Sequence, residues 1–477
     1  MVRQTKFGLI TTIIAFAVAT GFSHDKAAKC IRVPSPEGDA TAAIQGGDRP
    51  GICWRGDFPV TDFGARGDGV SLDTAAIQQA IDTCSKAGGG RVVVPPGIWK
   101  TGTIWFRDRV EIHLMQGATL LGSENLADYN KDDAYEQNYW ELVEGWCGKH
   151  LVLAVEVEDI ALTGEGTIDG NGRAFFGPKP PEKPNAVCWR EGFANSRPGI
   201  YRPGTTITII ECRNVRVRDV KLVDMTSWSC SIQGCDNVQV RGVRIKNPPW
   251  HANTDGISID ASSHVAISDC DIDTGDDCFA IRCQNNHIKQ KSKPCEYVTI
   301  ANCNCRGNAC GIRVGVGSGG AVRHLLVSNV NFHQVGRGLA VQANYWHYEK
   351  GVDLEDIRFQ NISMNDVVQG IFVVAGRGQP SAKIRNVSFS NIYAEACGMG
   401  AVITGNGACR PSNILLDDVT LEFKKPRHPN AAKDGEIGIP VDQDCDIYVA
   451  QADDVVLRNV RSVKGGRVVG SEVVRKK

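Results

Sequence analysis

The chain has 477 residues, and 53 Lys and Arg against 54 Asp and Glu leave a formal charge of −1. That balance excludes a dedicated nucleic-acid binder, which carries a basic excess, and a charged fraction of 22% is too low for a disordered acidic or basic chain. Only one apolar run, at the N-terminus, is long enough to interest a membrane, so a polytopic membrane protein is excluded as well.

That first run reads as an export signal. Arg3 and Lys6 form a basic start, Phe7 to Val18 is mostly apolar, and Ala17-Val18-Ala19 supplies the small residues of a cleavage site. Residues 1–19 are therefore expected to be a signal peptide, 20–56 an N-terminal extension and 57–477 one domain, secreted to the extracellular space or periplasm. An uncleaved single-span anchor competes, but the run is shorter than the ~20 residues a span needs. Asp73 to Ala87 (DTAAIQQAIDTCSKA) predicts a helix. Asp73 stands as N-cap, Ala76, Ile77, Ala80, Ile81 and Cys84 form one stripe, and Gly88 ends it. Two stretches, Tyr129 to Gly148 and Phe175 to Pro203, are rich in Trp, Tyr and Pro and read as loops.

From about residue 150 a short pattern recurs: an alternating apolar strand, a polar residue followed by Val, Ile or Leu, and a second alternating strand. The pairs Asn214-Val215, Asn237-Val238 and His264-Val265 lie 23 and 27 residues apart. Period-2 alternation implies half-buried strands, and a repeat of this length implies a solenoid. No helical segments separate the strands, so βαβ units are excluded and successive coils must stack in parallel. The early helix would cover the open apolar end. A propeller or sandwich fits less well, because hairpin turn pairs are missing. Inward Val, Ile and Leu fill the core, and outward residues at equivalent positions align into flat faces suited to an extended polymer.

Eighteen cysteines fit an exported protein held by disulfides. Seven of them, Cys270, Cys278, Cys283, Cys295, Cys303, Cys305 and Cys310, crowd into one stretch, but without the spacing of a zinc ribbon. The polar residues concentrate in Asn253-Thr254-Asp255-Gly256 and Gly275-Asp276-Asp277. Asp255 and Asp276 are 21 residues apart, close to one coil, which sets them on adjacent rungs of one face. Carboxylates that repel one another there hold a proton to higher pH, placing an acid beside a base. Either segment alone is also a good turn. Trp250 and His251 could contact a sugar but read more readily as structural, as do Tyr345 and Trp346. The Asn-x-Ser sequons at Asn361 and Asn386 sit in repeat strands, which disfavours glycosylation.

These motifs resemble those of the polygalacturonase family of glycoside hydrolases. The resemblance rests on Asn253-Thr254-Asp255-Gly256 and Gly275-Asp276-Asp277-Cys278 at the family's spacing. Val60-Thr61-Asp62-Phe63-Gly64-Ala65, Gly67-Asp68-Gly69, Pro95-Pro96-Gly97 and Gly164-Glu165-Gly166-Thr167-Ile168-Asp169-Gly170 extend it over about 55 to 460. It implies an all-β, right-handed parallel β-helix and an inverting hydrolase of α-glycosidic bonds in pectin, needing no metal or other cofactor. Asp276 would protonate the leaving oxygen, and Asp255 and Asp277 would position and deprotonate the water, across a gap of roughly 6.5–9.5 Å. Asn253 would lie against the substrate. Two departures stand out. Cys310 occupies the place of a family histidine, and Ala340-Val341-Gln342 replaces an Arg-Ile-Lys that grips a uronate. Alternation turns Arg282 and Arg313 outward on the same face, so they are expected to supply the missing grip. The expected partner is a pectic or other acidic polysaccharide, bound by a monomer. A rhamnogalacturonan-type or exo-acting relative, a lyase, and a carbohydrate-binding β-helix altered in catalysis are the other readings.

Overall fold

A computed structural model describes residues 56–131, 146–176, 201–283, 288–290, 293–315, 317, 319–344, 350–376, 381–423, 446–464 and 467–468. The expected signal peptide, nearly all of the extension, most of the two Trp-, Tyr- and Pro-rich stretches, and Tyr345 and Trp346 lie outside these residues.

The described chain is a parallel β-helix. Each coil lays one strand in each of three columns, and each strand pairs in parallel with its counterpart one coil on. One column contains Glu158–Thr163, Arg213–Arg218, Asp236–Arg241 and Ser263–Ser268. A second contains Thr167–Asp169, Lys221–Val223, Arg244–Lys246 and Asp271–Thr274. The third contains Val152–Val155, Ile207–Ile210, Cys230–Gln233, Ile257–Asp260 and Phe279–Arg282. Beyond that point single bent strands, Cys295–Gly315, Ala321–Asn344, Asp353–Gly376 and Ile384–Thr404, run through all three columns. Only Arg461–Lys464 and Arg467–Val468 pair antiparallel among the described strands.

The apolar member of each repeated pair forms an interior ladder: Val215, Val238, Val265, Val298 and Leu325 pair in sequence, all buried. The polar member before it does something the alternation did not reveal. Asn214, Asn237, His264, Tyr297 and His324 all take φ between 55° and 57°, the left-handed region that bends the chain from one column to the next. The helix is Thr74–Lys86, with Ile77, Ala80, Ile81 and Cys84 buried against the first coils. Asp73 precedes it, but its carboxylate does not cap it. That carboxylate instead accepts the N–H groups of Arg66 (2.8 Å) and Gly67 (3.0 Å), fixing the preceding turn. Gly88, at φ 96°, closes the helix with its N–H on the Ser85 carbonyl.

The disulfide expectation is not met where it can be checked. Twelve described cysteines, all seven of the crowded stretch among them, are buried free thiols. Several occupy inward strand positions that neighbouring coils fill with aliphatic or aromatic residues: Cys230 lies between Ile207 and Ile257, and Cys305 between Ile272 and Phe332. A thiol serves there as a small apolar side chain. Burial pushes the thiols of Cys230 and Cys283 up to about 12, which keeps them protonated and inert.

Candidate active site

The Asp cluster sits on the turns that lead into the third column. The pairing of Ile257 with Phe279 carries back two residues to set Asp255 beside Asp277, and the Gly256 N–H donates to the Asp277 carbonyl at 2.9 Å. The register partner of Asp255 is thus Asp277 rather than Asp276, which stands one residue earlier. The same register places Cys310 next along, then Arg337 and Gln369. Close contact between turns explains the glycines of both motifs. A Cβ on Gly256 would come within 2.4 Å of the Cys278 carbonyl oxygen, and one on Gly275 within 2.3 Å of that of His251.

One carboxylate oxygen from each of Asp255, Asp276 and Asp277 lies within 4.8 Å of the other two. Asp255 and Asp277 are each 2% exposed, whereas Asp276 is partly open to solvent. Arg282 and Arg313 do point outward at this face, but they grip the cluster itself. Arg282 Nη2 donates to Asp255 Oδ2 at 2.8 Å, with its guanidinium 4.0 Å from the Trp228 ring centre. Arg313 donates through Nε to Asp277 Oδ2 at 2.7 Å and through Nη2 to Oδ1 at 3.4 Å. The Cys310 N–H adds a bond to Asp277 Oδ1 at 2.9 Å, so Cys310 contributes its backbone while its side chain packs with Ala340 and Phe372. Asp276 accepts the Asn253 N–H on Oδ2 (3.2 Å) and the Asp277 N–H on Oδ1 (2.9 Å). The side chain of Asn253 turns the other way: its amide oxygen accepts from Arg202 Nη2 at 2.9 Å.

Three carboxylates this close could in principle hold a cation. Two guanidiniums already supply counter-charge directly to two of them, which weakens the case for a metal.

Two arginines at this site were not picked out from the sequence. Arg202 is fully buried below Asn253. Its sequence neighbours give no clue, because Asn253 is 51 residues away. Arg337 reaches the face one register step beyond Cys310, with its guanidinium 4.3 Å from the Phe372 ring centre and Nε on Gln369 Oε1 at 2.6 Å. The Gly336-Arg337-Gly338 run, inside the bent strand Ala321–Asn344 and just ahead of Leu339 and Val341, was the available signal. His251 is structural: it is 1% exposed, stacked on Phe176 at 4.1 Å and edge-on to Trp250 at 5.6 Å. Burial lowers its pKa to about 4, so it is neutral at pH 7.

The model for glycosyl hydrolases family 28 matches residues 109–433, and one described as rhamnogalacturonase A/epimerase, pectate lyase-like matches residues 58–139. The chain is 27% identical over 352 residues to an exo-poly-alpha-D-galacturonosidase of Dickeya chrysanthemi, covering 66% of this chain and 56% of that one. It is 26% identical over 380 residues to a polygalacturonase of Malus domestica, covering 76% and 74%. The chain thus spans little more than half the length of the Dickeya protein. Among solved structures, an exopolygalacturonase from Thermotoga maritima superposes with a TM-score of 0.67 at 22% identity, over 87% of this chain and 93% of that one. A family 28 exopolygalacturonase from Yersinia enterocolitica gives 0.63 at 20% identity, over 86% and 77%. Those two likenesses concern the fold, a parallel β-helix. With its model matched across 325 residues that include the whole Asp cluster, the family is settled: the chain belongs to glycosyl hydrolases family 28.

Proposed function

We propose that the protein hydrolyses α-glycosidic bonds of a pectic, acidic polysaccharide by an inverting acid/base mechanism. Asp276 is the proton donor to the leaving oxygen, and Asp255 and Asp277 hold and deprotonate the attacking water. The observation that carries this is the difference within the cluster: three carboxylates within 4.8 Å, two buried under arginines and one partly exposed. The exposed carboxyl is the one a glycosidic oxygen can reach. The relatives named for galacturonan cleavage supply the substrate class.

The nearest oxygens of the cluster lie within 4.8 Å, a limit on single atoms rather than the separation of roughly 6.5–9.5 Å between whole carboxyl groups that marks most inverting enzymes, so hydrogen bonding decides between inversion and retention. A retaining nucleophile needs a carboxylate oxygen free to attack carbon. Both oxygens of Asp277 accept hydrogen bonds, and Asp255 is buried against Arg282. Both are better placed to orient water than to bond a sugar. Asp276→Asn should therefore lower kcat on polygalacturonate by roughly 10²–10⁴-fold, with unfolding temperature nearly unchanged. Proton NMR of the first-formed reducing sugar should show the inverted anomer. More than a tenth of wild-type turnover would remove Asp276 from the mechanism, and a retained anomer would make one of its neighbours a nucleophile. Exo action is a second reading, favoured by the Dickeya relative's name; release of one short product from the start of digestion would establish it. Secretion, which a pectic substrate requires, and a monomeric state belong to the same proposal.

A further inference from the structure

We infer that Arg202 is a positioning residue for the reaction: it holds Asn253 in a left-handed backbone conformation, and the Asn253 N–H in turn fixes the carboxyl of Asp276. The inference rests on the assignment of Asp276 as proton donor.

Arg202 enters on the short strand Arg202–Pro203, which pairs with Trp146–Cys147 outside the main sheet. It is fully buried, an expensive place for a guanidinium unless its hydrogen bonds are made. Nη1 donates to the Thr226 carbonyl at 2.7 Å and Nη2 to Asn253 Oδ1 at 2.9 Å. The Phe176 ring lies against the guanidinium at 4.9 Å and is itself stacked on His251. The fork is therefore held on one ring face and at two acceptors, one of them the Asn253 amide. Asn253 has φ 57°. That region is sparsely populated by residues other than glycine, and asparagine enters it more readily than most. Anchoring its amide oxygen fixes the residue there and aims its N–H at Asp276 Oδ2, 3.2 Å away.

The carboxyl of Asp276 thus has two N–H donors of different origin. The one from Asp277 is set by its own turn, and the one from Asn253 depends on a side chain 51 residues upstream. The charged groups beside this carboxyl include Asp255, paired with Arg282, and Asp277, paired with Arg313.

The test compares Arg202→Met, Asn253→Ala and Asn253→Gly. On polygalacturonate, Arg202→Met and Asn253→Ala should lower kcat roughly 10- to 100-fold with KM within about twofold. The alkaline limb of the kcat profile should move to higher pH, because a carboxylate that loses an N–H donor holds its proton more firmly. Asn253→Gly should fall between wild type and Asn253→Ala, since glycine reaches the left-handed region without strain. Loss carried by KM, or an unmoved limb with kcat within twofold in both Arg202→Met and Asn253→Ala, would overturn the inference. Carbon-13 titration of Asp276, assigned by its disappearance in Asp276→Asn, reads the same coupling without substrate. Its midpoint should rise in Arg202→Met and Asn253→Ala, and an unchanged midpoint counts against the inference. If the wild type releases no sugar from polygalacturonate, the substrate assignment fails, while the titration still decides the role of Arg202.

Discussion

At the scale of single residues, the two outward arginines show how much a partner changes a reading. Parity alone puts Arg282 and Arg313 on the reactive face, where an unpaired guanidinium would suit a uronate. Each instead lies across a buried carboxylate of the cluster. Arg313 and Asp277 are both almost fully buried, so removing one partner leaves an uncompensated charge in the interior. Such losses run to about 3–5 kcal/mol. Arg313→Gln should therefore destabilise the protein by about that amount in denaturant unfolding, and it should lose activity equally on acidic and methyl-esterified substrates. The double replacement Arg313→Met with Asp277→Leu should recover most of the stability while remaining inactive, because a buried ion pair exchanged for apolar residues is near neutral. A stability loss below about 1 kcal/mol for Arg313→Gln, or a loss of activity confined to acidic substrates, would return Arg313 to the role of substrate grip.

At the scale of the coil, polar residues at the corners form ladders of their own. Asn302, Asn329, Asn361 and Asn391 all take φ between 54° and 57°. Asn329 Nδ2 donates to Asn302 Oδ1 (3.1 Å), Asn361 to Asn329 (3.1 Å) and Asn391 to Asn361 (2.9 Å). Asn361→Ala loses both ladder bonds and adds a left-handed penalty of about 1–2 kcal/mol, whereas Asn361→Gly loses the bonds alone. Glycine at 361 should therefore leave the protein more stable than alanine by roughly 1 kcal/mol, reversing the usual order in strands; equal midpoints in urea would show that the corner carries no strain. The same ladder engages the amide of one sequon, Asn361, and a second ladder engages that of the other: Asn386 Nδ2 donates to Asp356 Oδ1 at 2.9 Å. Alternation and repeat spacing made the stack and the Asp cluster legible, because both depend on local period. The left-handed corners were present in the sequence as recurring Asn, Asp and His, but their φ follows from where the chain must bend, which spacing does not state. The cysteines carried a readable sign as well: Cys303 and Cys305 alternate with Asn304 and Arg306 and so face inward. Arg202 left no such sign, because its partners come from two other coils.

At the scale of the whole molecule, the stack decides how far a local change travels. Each coil contacts the coils before and after it, so stability approximates a sum of coil and nearest-neighbour terms. The stacked pair Phe359 and Phe389, centroids 5.0 Å apart, belongs to two successive strands. Phe389→Ala removes one of these buried rings and should cost about 3–5 kcal/mol locally. If coupling runs only between neighbours, amide hydrogen exchange should rise in Asp353–Gly376, Ile384–Thr404 and Ser412–Phe423, the strands that pair with or contain residue 389. The strands Ile257–Asp260 and Phe279–Arg282, which position the Asp cluster, should keep their protection, and kcat should stay within twofold of wild type. A single cooperative unit would behave otherwise: exchange would rise throughout, and the variant would lose activity in step with its loss of stability. The distinction bears on how this fold tolerates change, since a nearest-neighbour stack lets the C-terminal coils vary while the coils around Asp255, Asp276 and Asp277 hold their geometry.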